Sequence, residues 1–120
     1  MNRPIAFFDM EVYPNYVLCA FMTEGGGRHS WFTTAADMKF PSAGLVDFIK
    51  AHTLITFNGT GFDIPLLMLC IRKEPSAVIK KASDRIILGN LKWWNFEKEF
   101  HVKCQRPELD MIDIMEVAPL

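Results

Sequence analysis

The chain has 120 residues, half of them hydrophobic and ten of them Phe, with a formal net charge of −1. That length suffices for one domain with one modest core, and the composition is too apolar for a disordered chain. No apolar stretch is long enough to span a bilayer, and residues 1–5 (Met-Asn-Arg-Pro-Ile) lack the apolar run and small-residue cleavage site of a secretory signal. The near-neutral charge excludes a protein that holds nucleic acid by phosphate neutralisation alone. Such a chain meets phosphate through metal ions, touches few nucleotides, or binds no nucleic acid. Cys19, Cys70 and Cys104 are widely spaced and match neither a zinc pattern nor a disulfide framework. Buried thiols in a reducing cytoplasm are the expectation.

In chain order, residues 5–8 form a short apolar run, expected to be a buried strand that ends at Asp9. Residues 17–22 (Val-Leu-Cys-Ala-Phe-Met) predict a second strand and residues 29–34 a third. Glu24-Gly25-Gly26-Gly27 between them is a turn, because glycine carries no steric penalty at positive φ. A short glycine turn makes this pair an antiparallel hairpin, and Tyr13-Pro14-Asn15 is the turn that joins the first strand to it. Pro41-Ser42 opens a helix with Ser42 as N-cap, and Leu45, Phe48 and Ile49 recur at helical spacing up to His52.

Residues 54–57 (Leu-Ile-Thr-Phe) predict a strand reached by a parallel crossover. After the loop Asn58-Gly59-Thr60-Gly61, a helix is expected from Phe62, with Pro65 tolerated in its first turn. Glu74-Pro75-Ser76 breaks the chain, and residues 77–87 predict another helix. Residues 89–106 hold Trp93, Trp94, Phe96 and Phe100 among charges and fit a long loop or a strand pair. Residues 111–115 (Met-Ile-Asp-Ile-Met) predict a last, central strand. The order is that of a single α/β domain spanning residues 1–120. Three antiparallel strands are followed by parallel crossover strands, in one mixed sheet with helices covering its faces.

Asp9 and Glu11 are two residues apart, so on a strand both carboxylates point to one face. Like charges this close repel unless a cation neutralises them, and a hard divalent ion such as Mg²⁺ or Mn²⁺ suits carboxylate oxygens. The competing reading has the strand simply ending there with both acids solvated. Asp63 follows a strand and a glycine-bearing loop at a helix start, where a favourable interaction with the helix dipole competes with a metal role. Asn58 stands at a strand's C-terminal end, where ligands approach open α/β sheets. Phe62 offers a face for base stacking, or packs in the core.

Residues 5–11 (Ile-Ala-Phe-Phe-Asp-Met-Glu) resemble the first motif of the DEDD superfamily of ribonuclease H-like 3'→5' exonucleases, the group that contains DNA polymerase proofreading domains. Residues 55–63 (Ile-Thr-Phe-Asn-Gly-Thr-Gly-Phe-Asp) resemble the second motif, in the form found in family B polymerases and phage exonucleases. Tyr13-Pro14-Asn15, Pro65-Leu66-Leu67 and residues 111–115 are also similar to the phage group. The resemblance implies a ribonuclease H-like fold and hydrolysis at DNA 3' ends by two Mg²⁺ or Mn²⁺ ions. It makes Asp9, Glu11 and Asp63 the catalytic, metal-binding acids, with Asn58 and Phe62 positioning the terminal nucleotide. A single-stranded DNA 3' end would be the partner, in the cytoplasm, or the host cytoplasm for a phage-encoded chain.

The family's third motif, a Tyr or His followed a few residues later by Asp, lies beyond the segment resembling residues 111–115 and has no counterpart before Leu120. His101 and Asp110 are too far apart and come too early. Asp113 would project from a central strand near Asp9, or be a strand acid satisfied by hydrogen bonds. Three accounts stay open: a fragment of a longer exonuclease, a short gene that kept the fold without the chemistry, or an acid supplied by a partner chain. Whether the chain is an enzyme is therefore uncertain on sequence grounds. The alternative is a catalytically inactive exonuclease fold serving as a phage protein-interaction module. Its partner would bind through Trp93, Trp94 and Phe96, or through self-association on an apolar face left uncovered.

Overall fold

The computed structural model describes residues 3–117, with the side chains of residues 116 and 117 left out of the description. Five strands form one mixed sheet in the order β3-β2-β1-β4-β5. The α/β architecture expected from the sequence, three antiparallel strands followed by parallel ones, is the one the chain adopts.

β1 (Ile5–Tyr13) and β2 (Tyr16–Thr23) pair antiparallel through the two-residue turn at Pro14 and Asn15, with Tyr13 opposite Tyr16. β1 is longer than its apolar run suggests. The register continues through Asp9–Ala20 and Glu11–Leu18, so the two acids lie inside the strand and not at its end. Backbone pairing to β2 satisfies the ladder regardless of side-chain polarity, which is why polar residues on one face do not stop the strand. The glycine turn after Thr23 is closed by the Thr23 N–H on the Gly27 carbonyl at 2.9 Å, with Gly26 at φ 85°. It leads into β3 (Arg28–Thr33).

α1 (Leu45–Ala51) starts later than residue 42. Its N-cap is Gly44 at φ 80°, a backbone conformation that glycine adopts without strain, and Ser42 meets the helix only through its backbone carbonyl, which accepts the Leu45 N–H at 3.0 Å. β4 (Thr53–Thr56) pairs parallel with β1. α2 (Asp63–Ile71) is buried along almost its whole length, as expected of a helix apolar on every side. α3 (Ser76–Ile87) buries Ser76, Ile79, Ala82 and Ser83, a face at helical spacing laid against β1 and β2.

Residues 89–106 are neither a long loop nor a strand pair, because α4 (Trp93–Phe100) occupies their centre. Phe96 and Phe100, one helical turn apart, stack at 4.6 Å and turn this helix toward α2. β5 (Asp110–Asp113) pairs parallel with β4 and is an edge strand among the described residues, not a central one. The short α5 (Ile114–Val117) follows directly, so the last strand ends two residues earlier than the apolar pattern suggests. No helix is long and apolar enough to cross a membrane among the described residues.

Among the described residues the helices do not cover both faces. Ala6, Phe8, Met10, Val17, Cys19, Phe21 and Leu54 point to one side and form the core. Phe48 of α1 packs on Phe21, Cys70 of α2 meets Cys19, and Ser76 of α3 bonds Thr33, all on that side. The three cysteines are free and buried, and burial together with the Cys70 contact pushes the Cys19 thiol well above its usual range. The opposite side carries Phe7, Asp9, Glu11 and Tyr13 of β1 and is exposed among the described residues.

Candidate metal centre and its loop

β4 stops at Thr56, and its last pair with β1 joins Ile55 to Phe7. β1 therefore runs on through Asp9 and Glu11 with β2 alone as partner. Three expected site residues collect around this overhang, at the C-terminal end of the parallel strands where ligands approach such sheets. Asp9 and Glu11 are exposed and stand side by side on the open face. Asp63 is buried at the first position of α2.

The Asp63 carboxyl is pushed up from 3.8 to about 7. Burial is the main cause, the charge of Asp9 the second, and the Met10 backbone N–H, which hydrogen-bonds to the carboxylate, pulls it partly back. Asp113 adds a further, smaller repulsion. Asp63 thus approaches the overhang from the helix side, while Asp9 and Glu11 leave it on the other. That divided approach explains why, among the described residues, no three His, Cys, Asp or Glu side chains converge on one point.

Asp113 is the hydrogen-bonded strand acid of the two readings open to it. Its carboxylate is buried and accepts three backbone N–H groups: Asn58 at 2.8 Å, Met115 at 3.0 Å and Thr60 at 3.1 Å. Being on the edge strand β5, it reaches the loop after β4 and does not stand beside Asp9 on a central strand. A carboxylate with this many backbone donors is a loop anchor, in line with the hydrogen-bonded strand acid that the sequence also allowed.

That loop, residues 57–62, is closed by further bonds. Phe62 N–H reaches the Asn58 carbonyl at 3.1 Å, and Ile64 N–H reaches the Gly59 carbonyl at 2.8 Å. Asn58 takes φ 63°, a left-handed conformation that Asn tolerates better than most residues. Gly59 is required by space, since a Cβ there would lie 2.2 Å from Thr56 Oγ1. Asn58 and Phe62 share a cavity of about 450 Å³ with Asn90, Lys92 and Trp93. On the other side of Trp93, a cavity of about 480 Å³ is lined by Thr60, Lys103 and Arg106. These cations and the position of Trp93 were not legible in the sequence, because they depend on α4 folding back beside the loop.

Of the aromatic residues expected to anchor a partner, Phe96 is fully buried and unavailable; Trp93 is half-buried, and Trp94 is exposed. Helical spacing sends Phe96 inward with Phe100, against α2, and leaves Trp94 on the outer side. No protein-family model, no curated protein and no solved structure matches this chain.

Proposed function

We propose that the chain is a 3'→5' exonuclease-like domain of the phage type, acting on DNA 3' ends through divalent metal ions. The carrying observation is Asp63, a buried carboxyl raised to about 7 by burial and by Asp9. Burial and the charge of Asp9 both oppose ionisation of Asp63, and a cation placed beside it would offset both. Asp9 and Asp63 would share one Mg²⁺ or Mn²⁺ ion; Glu11 lies beside Asp9 on the open face, and among the described residues no third acid converges with the pair. Among the described residues the acids do not complete a second ion's shell, since Asp113 is held by three backbone N–H groups.

The ion, when bound, supplies charge neutralisation at the scissile phosphate and a more acidic water. The chain's own residues do the rest. Asp63 would hold the ion as a carboxylate, its proton passing to solvent on binding. Asn58 and Phe62, fixed by the loop bonds, face a cavity with Trp93 in which a terminal nucleotide can stack. Lys92, Lys103 and Arg106 line the adjacent cavities and can meet phosphates, so a near-neutral chain can still hold a short stretch of strand.

A second reading is favoured by the occupied Asp113 and the exposed Trp94: a catalytically inactive exonuclease fold that binds protein. One experiment separates the two. Single-stranded DNA labelled at its 5' end is incubated with Mg²⁺ or Mn²⁺ and either the native chain or the Asp9→Ala variant. A ladder shortening from the 3' end with the native chain alone supports the nuclease. Equal background from both proteins refutes it and leaves the binding module.

A further inference from the structure

Strand register lays out the open face of the sheet in rows. Met22, Phe7, Ile55 and Ile112 stand level with one another on β2, β1, β4 and β5, and Arg28 of β3 ends the row. Phe7, Met22 and Ile112 are 52%, 42% and 44% exposed. Toward the overhang of β1, the next rows are Ser30–Ala20–Asp9 and Phe32–Leu18–Glu11, with Phe32 49% exposed. In the other direction lie Thr53 and Asp110. A concavity of about 580 Å³ lies over β1 to β3, with Phe7, Leu18, Met22 and Phe32 among its walls. A solvated sheet face ordinarily alternates to polar side chains, whereas this one presents a continuous apolar band, the mark of an interaction surface.

Charge decides among occupants. The open-face strand positions carry the carboxylates Asp9, Glu11 and Asp110 against the single cation Arg28. A second copy packed face to face would bring carboxylates toward carboxylates, and a phosphate backbone would meet the same repulsion. An apolar surface flanked by basic side chains meets none. We infer that this face is the docking site for an amphipathic helix of a partner protein, with an apolar stripe flanked by Lys and Arg.

Size agrees with this choice. The row from Met22 to Ile112 crosses three strand spacings, about 14 Å, which three turns of helix match. Apolar residues at i, i+3, i+4 and i+7 of such a helix rest on Phe7, Met22, Ile55 and Ile112. Its basic side chains lay their stems over Leu18 and Tyr13 and carry their charges to Asp9 and Glu11, while others reach Asp110 at the far flank. The inference uses these acids as free negative charges, so it applies to the metal-free chain.

The test is titration of the intact chain with a fluorescein-labelled helical peptide of about 16 residues, with Leu at helical spacing and Lys on both flanks, read by polarisation and amide NMR. A second peptide replaces every Lys by Glu. The expected result is one-to-one saturable binding, about tenfold tighter for the Lys peptide than for the Glu peptide. Amide shifts should centre on the strands bearing Phe7, Met22, Ile55 and Ile112. Phe7→Ser and Ile112→Ser, both at exposed positions, should each weaken the Lys peptide by about tenfold. Glu11→Gln should weaken the Lys peptide and leave the Glu peptide unchanged. Equal affinity for the two peptides, shifts confined to another surface, or indifference to both Ser variants overturns the inference. So does a dimer in sedimentation velocity that Phe7→Ser dissolves, because the occupant is then a second copy.

Discussion

Replacing Asp113 by Ala tests how the loop after β4 is held. The carboxylate accepts N–H groups from Asn58, Thr60 and Met115, and its removal leaves three donors without their acceptor. A buried donor left unpaired costs about 1–3 kcal/mol. Asn58 and Met115 are exposed, so their N–H groups can turn to water, and the loss should be about 1–3 kcal/mol. Against a total stability of about 5–15 kcal/mol this is a sizeable fraction, and the thermal midpoint should drop by about 5–15 °C. Asp113→Asn keeps one acceptor oxygen and turns the other position into a donor facing an N–H, so about half the loss is expected. Urea titration followed by tryptophan fluorescence gives the free energies, and hydrogen exchange under native conditions gives the local effect. Amide exchange at Asn58 and Thr60 should accelerate before that of β1 and β2. A stability for Asp113→Ala within about 0.5 kcal/mol of the native value would refute the anchor.

Three further outcomes follow from the packing. The Asp63 carboxyl binds its proton more tightly folded than unfolded, so stability should rise as pH falls from about 7 toward about 4 and stay flat above about 8. The change is about 1–4 kcal/mol, and Asp63→Asn should remove it, as chemical denaturation across that range will show. Gly59→Ala drives a methyl against the Thr56 side chain at 2.2 Å and should cost about 1–3 kcal/mol in a thermal melt, whereas Gly25→Ala, in open space, should cost less. Phe96→Ala empties a fully buried site and should cost about 3–5 kcal/mol, while Trp94→Ala on the exposed side should stay within about 0.5 kcal/mol.

The strands and the turn glycines were legible because each rests on local chemistry. Ile5 to Phe8, Val17 to Met22 and Gly26 carry their own signals, and the parallel placement of β4 follows from the intervening helix. The start of α1 was misjudged because Ser42 has cap chemistry, whereas the turn geometry is set at Gly44, whose positive φ leaves no trace in hydropathy. α4 was hidden because Trp93, Trp94, Phe96 and Phe100 make a short aromatic cluster without the long apolar periodicity of α2 or α3. Spacing predicted that Asp9 and Glu11 would share a face, and the register shows it. The side from which Asp63 approaches, the cations beside Trp93, and the three N–H groups on Asp113 belong to tertiary structure. Asp63 and Asp9, and Asp113 with Asn58 and Thr60, are more than about fifty residues apart, and no short window of sequence contains both partners.

The strand order β3-β2-β1-β4-β5 also has a kinetic meaning. β1, β2 and β3 are consecutive hairpins completed by residue 33, so their contacts are local and can close within microseconds. β4 must find β1 across about fifty residues, and β5 must then find β4, each closing a much longer loop before any pairing compensates. A three-stranded meander should therefore form early and wait, with Phe8 and Phe21 already stacked but not yet covered by α2 and α3. During synthesis at about 5–20 residues per second, that interval lasts seconds. The slow step of folding is then the arrival of β4, and the overhang of β1 that carries Asp9 and Glu11 acquires its surroundings only after it.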